Sequence, residues 1–329
     1  MTDYIKSPMN YTGGKYKILE HIIPSFPDRI NNFVDLFAGG FNVGINVQAE
    51  TIYANDQITY LIDLYRFFQS TPIEELLDRI KGRIEFFSLS QTNAEGYIAL
   101  REEYNRSKDI LDLFVLTCYA FNHQIRFNSK HEFNTPFGKE RSSFNDSIER
   151  NLIMFCNALQ KKKVILSTGD FREFDFSMLS VGDVVYCDPP YLITTGSYND
   201  GKRGFKDWTD EEDRALLELL DKLNDKGVLF ALSNVFAHKG QTNDSLIEWS
   251  KKYNVLYIDK TYSNCSYHFK DRGTKTVEVL ITNYDWEEPK CEQMTLILSK
   301  AINYPLLFLL GFSYHYVAIA YLHVRCYSR

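Results

Sequence analysis

The stretch VVYCDPPYL, residues 184–192, ends an apolar run in an acid, two prolines and an aromatic ring. Proline is tolerated at strand ends but not inside, so Pro189 and Pro190 close a strand and hold its last residues rigid. Rigidity has a use if the Asp188 carboxylate and the Pro189 carbonyl accept hydrogen bonds from one amino group. Two acceptors on an exocyclic amine draw its protons aside, localise the nitrogen lone pair and so prepare a nucleophile. Tyr191 then offers a ring face on which a planar base can stack, as enzymes that extrude a base require. The plainer reading is a structural turn with a surface acid. Acid, two prolines and an aromatic at a sheet's end are nevertheless far more specific than a glycine pair.

Two glycine features precede this corner. DLFAGGFNVG (35–44) follows a strand and is expected to lead into a helix; glycines there let a ligand approach the backbone, and the helix presents free N–H groups. The next strand ends in YAND, which puts Asp56 where an acid can accept from ribose hydroxyls. Together they point to a nucleoside-containing cofactor. In NYTGGKYK (10–17), Gly13 and Gly14 permit a tight turn and Lys15 adds a charge suited to a carboxylate. An anion-binding loop and a helix start with a surface lysine are both open from that motif alone. Cys187 suggests thiolate attack on cytosine C6, but a cysteine inside a strand end, with no activating base, reads as a buried thiol.

The surrounding elements must carry these residues. The segments FVDLFAGGFNVGINVQ, TIYAND and QITYLIDLYRFFQ read as strand, glycine turn, helix, strand, helix, the opening of a parallel α/β sheet. From 71 to 120 the pattern is helical without strand candidates, and 121–146 is a polar, aromatic, Gly/Pro-punctuated loop. A helix at 147–160 precedes KVILSTGDF, DVVYCDPPYL, GVLFALSN, YNVLYIDKTY and KTVEVLITNY as further strands, with helices at 209–225 and 243–252 between them. Thr209, followed by acids, is a good helix start. The sheet is thus predicted to be interrupted by a helical insertion and completed after it.

Composition bounds the function. The chain has 329 residues, 24% charged and 44% hydrophobic, with 22 Tyr and 24 Phe. A net charge of −6 argues against coating nucleic acid by bulk electrostatics, so any phosphate contacts must come from local patches; 126–141, 160–164 and 201–206 are candidates, and a solvated surface is the plainer reading of each, preferred for the lysines of 160–164. Six scattered cysteines form no CxxC pair or zinc-spaced cluster, so no metal site is expected and a reducing cytoplasm is the natural home. The N-terminus has no apolar signal core. The segment 304–322 is long and apolar enough to raise a membrane span, yet it contains Pro305, Gly311, His315 and several Tyr; a helix or strand pair packed on the body, or a segment foreign to the original fold, is preferred, and no membrane association is expected.

YTGGK, FVDLFAGGFNVG, RFNSKHEFNTPFG, STGDF and DPPY together resemble the Dam-type, alpha-group DNA adenine methyltransferases over residues 8 to about 284. The resemblance implies a Rossmann-like S-adenosylmethionine-dependent sheet with an inserted helical target-recognition domain. The implied division is 1–70 and 147–284 for the catalytic part, 71–146 for target recognition with a DNA-contacting hairpin, and 285–329 as an apolar tail of unknown role. By position, Tyr11, Gly13, Gly14 and Lys15 help hold S-adenosylmethionine, with Tyr11 standing where Trp is commoner. Asp35, Phe37 and Gly39 form the cofactor turn, Asp56 takes the ribose, and Asp170 and Phe171 contact the cofactor's adenine. Asp188, Pro189, Pro190 and Tyr191 take the target adenine, and Asp188 also borders the cofactor. Arg126, Asn128 and Asn134 to Gly138 belong to the DNA-reading hairpin, whereas Lys130, Lys139 and Arg141 meet phosphates. The segment 232–243 is either another DNA-contacting loop or a plain strand end. Phe41 replaces a frequent family glycine, and Asn42 is expected to supply the unusual backbone angle there.

The expected reaction is methylation of the N6 amine of a flipped adenine in double-stranded DNA, by a phage or orphan Dam-type enzyme or by one paired with a cognate restriction endonuclease. The protein is expected to be a monomer or weak dimer. Cytosine-N4 methylation is an alternative, although Ser is commoner than Asp at its first motif position. A dinucleotide-binding oxidoreductase is compatible with the glycine turn and Asp56 but leaves DPPY and the 121–146 loop unexplained.

Overall fold

A computed structural model describes residues 4–11, 13–197, 208–258 and 276–286, with side chains 195–197 excepted. The basic patch at 201–206, the apolar segment 304–322, and Cys265, Cys291 and Cys326 lie outside the described residues.

Strands β1 (Asn32–Asp35), β2 (Thr51–Asp56), β3 (Val164–Thr168), β4 (Val184–Cys187), β5 (Leu229–His238), β6 (Gln241–Thr242), β7 (Asn254–Tyr257) and β8 (Val277–Thr282) form one sheet in the order β3-β2-β1-β4-β5-β8-β7, with β6 paired to β5. The first five run parallel, and β8 enters antiparallel between β5 and β7. Parallel strands covered on both faces read as apolar runs, and β1 and β4 are buried almost throughout. The order reverses at β1 and β4: the chain travels outward through β2 and β3, then returns to lay β4 on the other side of β1. Such a switch point leaves a crevice beyond the carboxyl ends of the strands.

Helices α1 (Leu19–Ile22), α2 (Thr59–Ser70), α3 (Ile73–Phe86), α4 (Ala94–Ser107), α5 (Ile110–Tyr119), α6 (Asp146–Lys161), α7 (Asp210–Asp225) and α8 (Asp244–Ser250) are the α-helices among the described residues. The helical stretch between β2 and β3 is as the sequence predicts, and its local chemistry explains the boundaries. Asn93, Asp109 and Asn145 cap α4, α5 and α6 through their side chains, while Thr209 and Glu212 form a reciprocal capping box on α7. Every residue of α5 from Leu111 to Tyr119 is buried, as expected of a helix apolar all round. Its one acid, Asp112, is held by Arg83 of α3 through two 2.7 Å bonds.

The predicted helix after the glycine turn is absent. Between β1 and β2 there is only a 3-10 turn, Gly44–Asn46. Val43, Ile45 and Val47 are β-branched, Gly44 is the weakest helix former after proline, and the short connection must reach the start of β2. The unusual angle belongs to Phe41 rather than Asn42: Phe41 has φ 54° and a fully buried ring. The ring packs on Tyr65 of α2 and Phe155 of α6, with centroids 5.8 and 6.2 Å away. The cost of a left-handed bulky residue, roughly 1–2 kcal/mol, is smaller than what a buried Phe contributes, about 3–5 kcal/mol. The 232–243 segment is a strand end: β5 continues to His238 and turns through Lys239 and Gly240, both at positive φ, into β6.

Candidate active site

The cleft at the switch point brings together Tyr11, Gly13, Gly14, Lys15, Asp35, Phe37, Gly39, Asp56, Asp188, Pro189 and Pro190. Strand pairing explains the convergence. Asp35, the last residue of β1, stands opposite Ala54 of β2 and Tyr186 of β4, so Asp56 and Asp188, each two residues further, emerge on either side of it. Leu36 N–H donates to the Tyr186 carbonyl and Ala38 N–H to the Asn55 carbonyl, which fixes the chain leaving β1 between its neighbours.

The glycine turn is built around these acids. Asp35 is buried and accepts from Gly44 N–H at 3.0 Å; Asp56 accepts from Gly39 N–H and Ile58 N–H, each at 2.8 Å. Tyr65 donates its hydroxyl to the Gly39 carbonyl. A Cβ on Gly39, itself at φ 47°, would stand 3.0 Å from the Tyr11 ring. One on Gly44 would stand 2.3 Å from the Phe41 ring and 2.9 Å from Asp35. Small residues therefore keep the turn close to its anchors and leave the cleft open above it. Burial pushes the Asp35 carboxyl up to about 7; the Gly44 N–H opposes the rise, and the charges of Asp188 and Asp56 add to it.

Lys15 is not the surface lysine of the plainer reading. It is 6% exposed, with Nζ 2.7 Å from Asp188 Oδ2 and donating to the Gly13 carbonyl at 2.9 Å. Asp188 Oδ1 accepts the Tyr191 hydroxyl at 2.9 Å, and the Lys15 ammonium lies 5.1 Å from the centre of the Tyr191 ring. Burial raises the Asp188 carboxyl above its ordinary range, with Lys15 opposing. Tyr191 is buried and its phenol is pushed well up by burial. Cys187 is fully buried and its thiol is driven well up by desolvation, which leaves it as packing.

Asp170 and Phe171 occupy an adjoining hollow that shares Phe37 and Gln57 with the main cleft. Phe37, Phe171 and Trp208 form an aromatic group with centroids 5.4–5.7 Å apart. Asp170 caps the turn after β3 and is held by Arg172 through bonds of 2.7 and 2.8 Å. Trp208, Arg172 and Gln57 escape sequence reasoning. Trp208 lies just before the Thr209 cap, where a helix-start reading accounts for its surroundings without needing a site. Tyr65 and Phe41 escape because their contributions come from tertiary contact.

The hairpin residues are brought together elsewhere. Phe127 and Phe133 form an antiparallel bridge and are buried against Tyr104 and, through Phe127, Tyr60. Asn105 both donates to and accepts from the Phe133 backbone. With that base fixed, Arg126 is held by Asn134 at 2.9 and 3.0 Å. Asn128 organises the tip by accepting from Lys130 N–H and Glu132 N–H. Lys139 is exposed beside Glu140, and Arg141 lies 5.0 Å from the Phe121 ring centre.

The cleft fits S-adenosylmethionine. Its glycine floor admits a ligand to the backbone, Asp56 suits a ribose, the aromatic hollow suits a purine, and three acids suit a cationic ligand. Residues 11–264 match the family model described as D12 class N6 adenine-specific DNA methyltransferase. The chain is 54% identical over 281 residues to Type II methyltransferase M.FokI of Planomicrobium okeanokoites and 49% identical over 284 residues to Modification methylase StsI of Streptococcus sanguinis. These alignments take in 85% and 86% of the chain, which spans 43% of the length of each relative. The DNA adenine methylase of Escherichia coli K12 is 28% identical over 233 residues, 69% of this chain and 79% of that one. The strand order, the acids at the switch point and a family match over well over half of its length agree: the chain belongs to the D12 class of N6 adenine-specific DNA methyltransferases.

Proposed function

We propose that this chain transfers a methyl group from S-adenosylmethionine to the N6 amine of an adenine flipped out of double-stranded DNA. The observation that carries the reading is the Asp188-Pro189-Pro190 corner opening into the same cleft as the glycine turn, Asp35 and Asp56. Donor and acceptor sites then lie beside one another at the carboxyl ends of β1, β2 and β4. S-Adenosylmethionine supplies an already activated methyl group on its sulfonium, so the protein's work is positioning and lone-pair preparation.

The residues divide this work. Gly13, Gly14, Phe37 and Gly39 shape the donor site, Tyr11 packs beside the turn, and Asp56 meets the ribose. Phe171 and Trp208 flank the purine, and Asp170 accepts from its amine. Asp188 and the Pro189 carbonyl accept hydrogen bonds from the two N6 N–H groups, so the nitrogen lone pair faces the methyl group. One N6 proton leaves for solvent once the nitrogen has become cationic.

Duplex DNA would be read by the 121–146 hairpin on the α3–α5 helices, with 71–146 as the target-recognition part and 1–70 plus 147–284 as the catalytic part. Arg126, oriented by Asn134, suits a guanine edge, and Lys130, Lys139 and Arg141 suit phosphates. Two relatives carry the names modification methylase and type II methyltransferase, which supports a modification role beside a restriction endonuclease of the same site. A cytoplasmic location follows from such a DNA substrate; no described helix is long and apolar enough to cross a membrane.

The test is transfer of tritium from methyl-labelled S-adenosylmethionine into DNA. The Asp188→Ala variant should lose it by two orders of magnitude or more, by about the factor seen when a transition-state hydrogen-bond partner is removed. Unchanged transfer would refute the proposed acceptor.

A further inference from the structure

We propose that Lys15 is a positioning residue of the target site: it occupies Asp188 while the cofactor is absent and releases it to the target amine when the cofactor's carboxylate draws the ammonium away. This inference rests on the methyltransferase reading above and adds to it a coupling between cofactor and target base.

The geometry is that of a stand-in. The Lys15 ammonium donates to a carboxylate oxygen, Asp188 Oδ2 at 2.7 Å, and to a backbone carbonyl, Gly13 at 2.9 Å. Of the two acceptors that the N6 amine needs, the Asp188 carboxylate and the Pro189 carbonyl, Lys15 holds the carboxylate. The other Asp188 oxygen is taken by the Tyr191 hydroxyl, so each carboxylate oxygen already has a donor. The same ammonium lies over the Tyr191 ring on which a flipped base would stack. Lys15 thus covers both features that make DPPY a base-binding corner.

Two electrostatic facts make this arrangement unsuitable for the reaction and easy to undo. A cation on Asp188 opposes the positive charge that the N6 nitrogen gathers as it is alkylated. Lys15 is also the one basic side chain among the described residues lining the cleft, where it faces Asp35, Asp56 and Asp188. A carboxylate arriving with the cofactor finds this cation alone among the described residues of the cleft, and its charge replaces that of Asp188 as the lysine's partner. Asp188 keeps its bond to Tyr191 and so stays oriented after Lys15 leaves. The target site is then complete only when the donor site is filled, which prevents a base from being held where no methyl group is available.

The experiment uses a duplex with 2-aminopurine at the adenine that methylation sequencing of DNA from expressing cells identifies, because 2-aminopurine brightens on leaving the stack. Sinefungin carries the amino-acid carboxylate; methylthioadenosine lacks it. In the wild-type protein, sinefungin should promote entry of the base by about fivefold or more, the lower end of ordinary coupling between sites, and methylthioadenosine should not. In Lys15→Met and Lys15→Gln, each checked for an unaltered thermal melt, the base should enter without cofactor and sinefungin should add nothing. Equal promotion by the two analogues in wild-type protein, or coupling that survives both substitutions, overturns the role of Lys15. If wild-type protein transfers methyl groups to the adenine form of that duplex while showing no coupling, Lys15 alone is misassigned. If it transfers none, the methyltransferase reading fails and takes this inference with it.

Discussion

Replacing Phe41 tests whether packing or backbone strain dominates the floor of the cleft. The ring is fully buried against Tyr65 and Phe155, yet its backbone sits at φ 54°. Truncation to Ala removes the ring and leaves the strain, at a cost of about 3–5 kcal/mol. Truncation to Gly removes the ring but relieves roughly 1–2 kcal/mol of left-handed strain, while a more flexible unfolded chain takes back about 0.5–1 kcal/mol. The expected order of stability is wild type, then Phe41→Gly, then Phe41→Ala, with the two variants separated by up to about 1.5 kcal/mol. Urea denaturation with an unchanged m-value measures this directly. A Phe41→Gly protein as stable as wild type would mean that strain outweighs packing. An Ala variant more stable than the Gly variant would mean that residue 41 is not left-handed in solution.

Other outcomes follow from the same structure. Asp35 titrates near 7 in the fold against an ordinary value of 3.8, so the folded state binds the extra proton between those pH values and its stability falls as pH rises through that window. The full effect is on the order of 4 kcal/mol, and urea midpoints between pH 4.5 and 7.5 without cofactor should show the decline; a rise would contradict it. A cationic cofactor beside Asp35 favours the carboxylate, so S-adenosylmethionine binding near pH 6 should release protons, measurable by calorimetry in buffers of different ionisation heat. Arg83→Met strands the buried Asp112 and should cost about 3 kcal/mol or more, whereas adding Asp112→Leu should restore much of it. Arg126→Ala should relax preference at one base pair by about 1–3 kcal/mol, whereas Lys139→Ala should weaken all sequences alike and lower the salt slope by about one.

Legibility in the sequence follows how local each cause is. DPPY, the glycine turns and the Thr209 cap declare themselves because proline, glycine and threonine act on their own backbone. Strands β1 and β4 show as apolar runs because both of their faces are buried. The helix expected after Gly40 fails because the periodic apolar residues Phe41, Val43, Ile45 and Val47 belong instead to a tight turn pinned by Asp35 and Gly44. Phe41 at positive φ is unreadable locally, since the rings that compensate for it come from α2 and α6. The same holds for Trp208, whose partners Phe37 and Phe171 follow other strands, and for Lys15, whose burial exists only once β4 brings Asp188 to it. Residue types thus indicated the chemistry, whereas the pairings that tune it arise from the strand order.

The most direct measurement is mass spectrometry of nucleosides from duplex DNA incubated with the purified protein and S-adenosylmethionine. If Asp188 prepares the N6 amine of adenine, N6-methyldeoxyadenosine is the new nucleoside, formed by wild type and nearly abolished in Asp188→Ala. The appearance of N4-methyldeoxycytidine instead, or equal formation of N6-methyldeoxyadenosine by the Asp188→Ala protein, would contradict it.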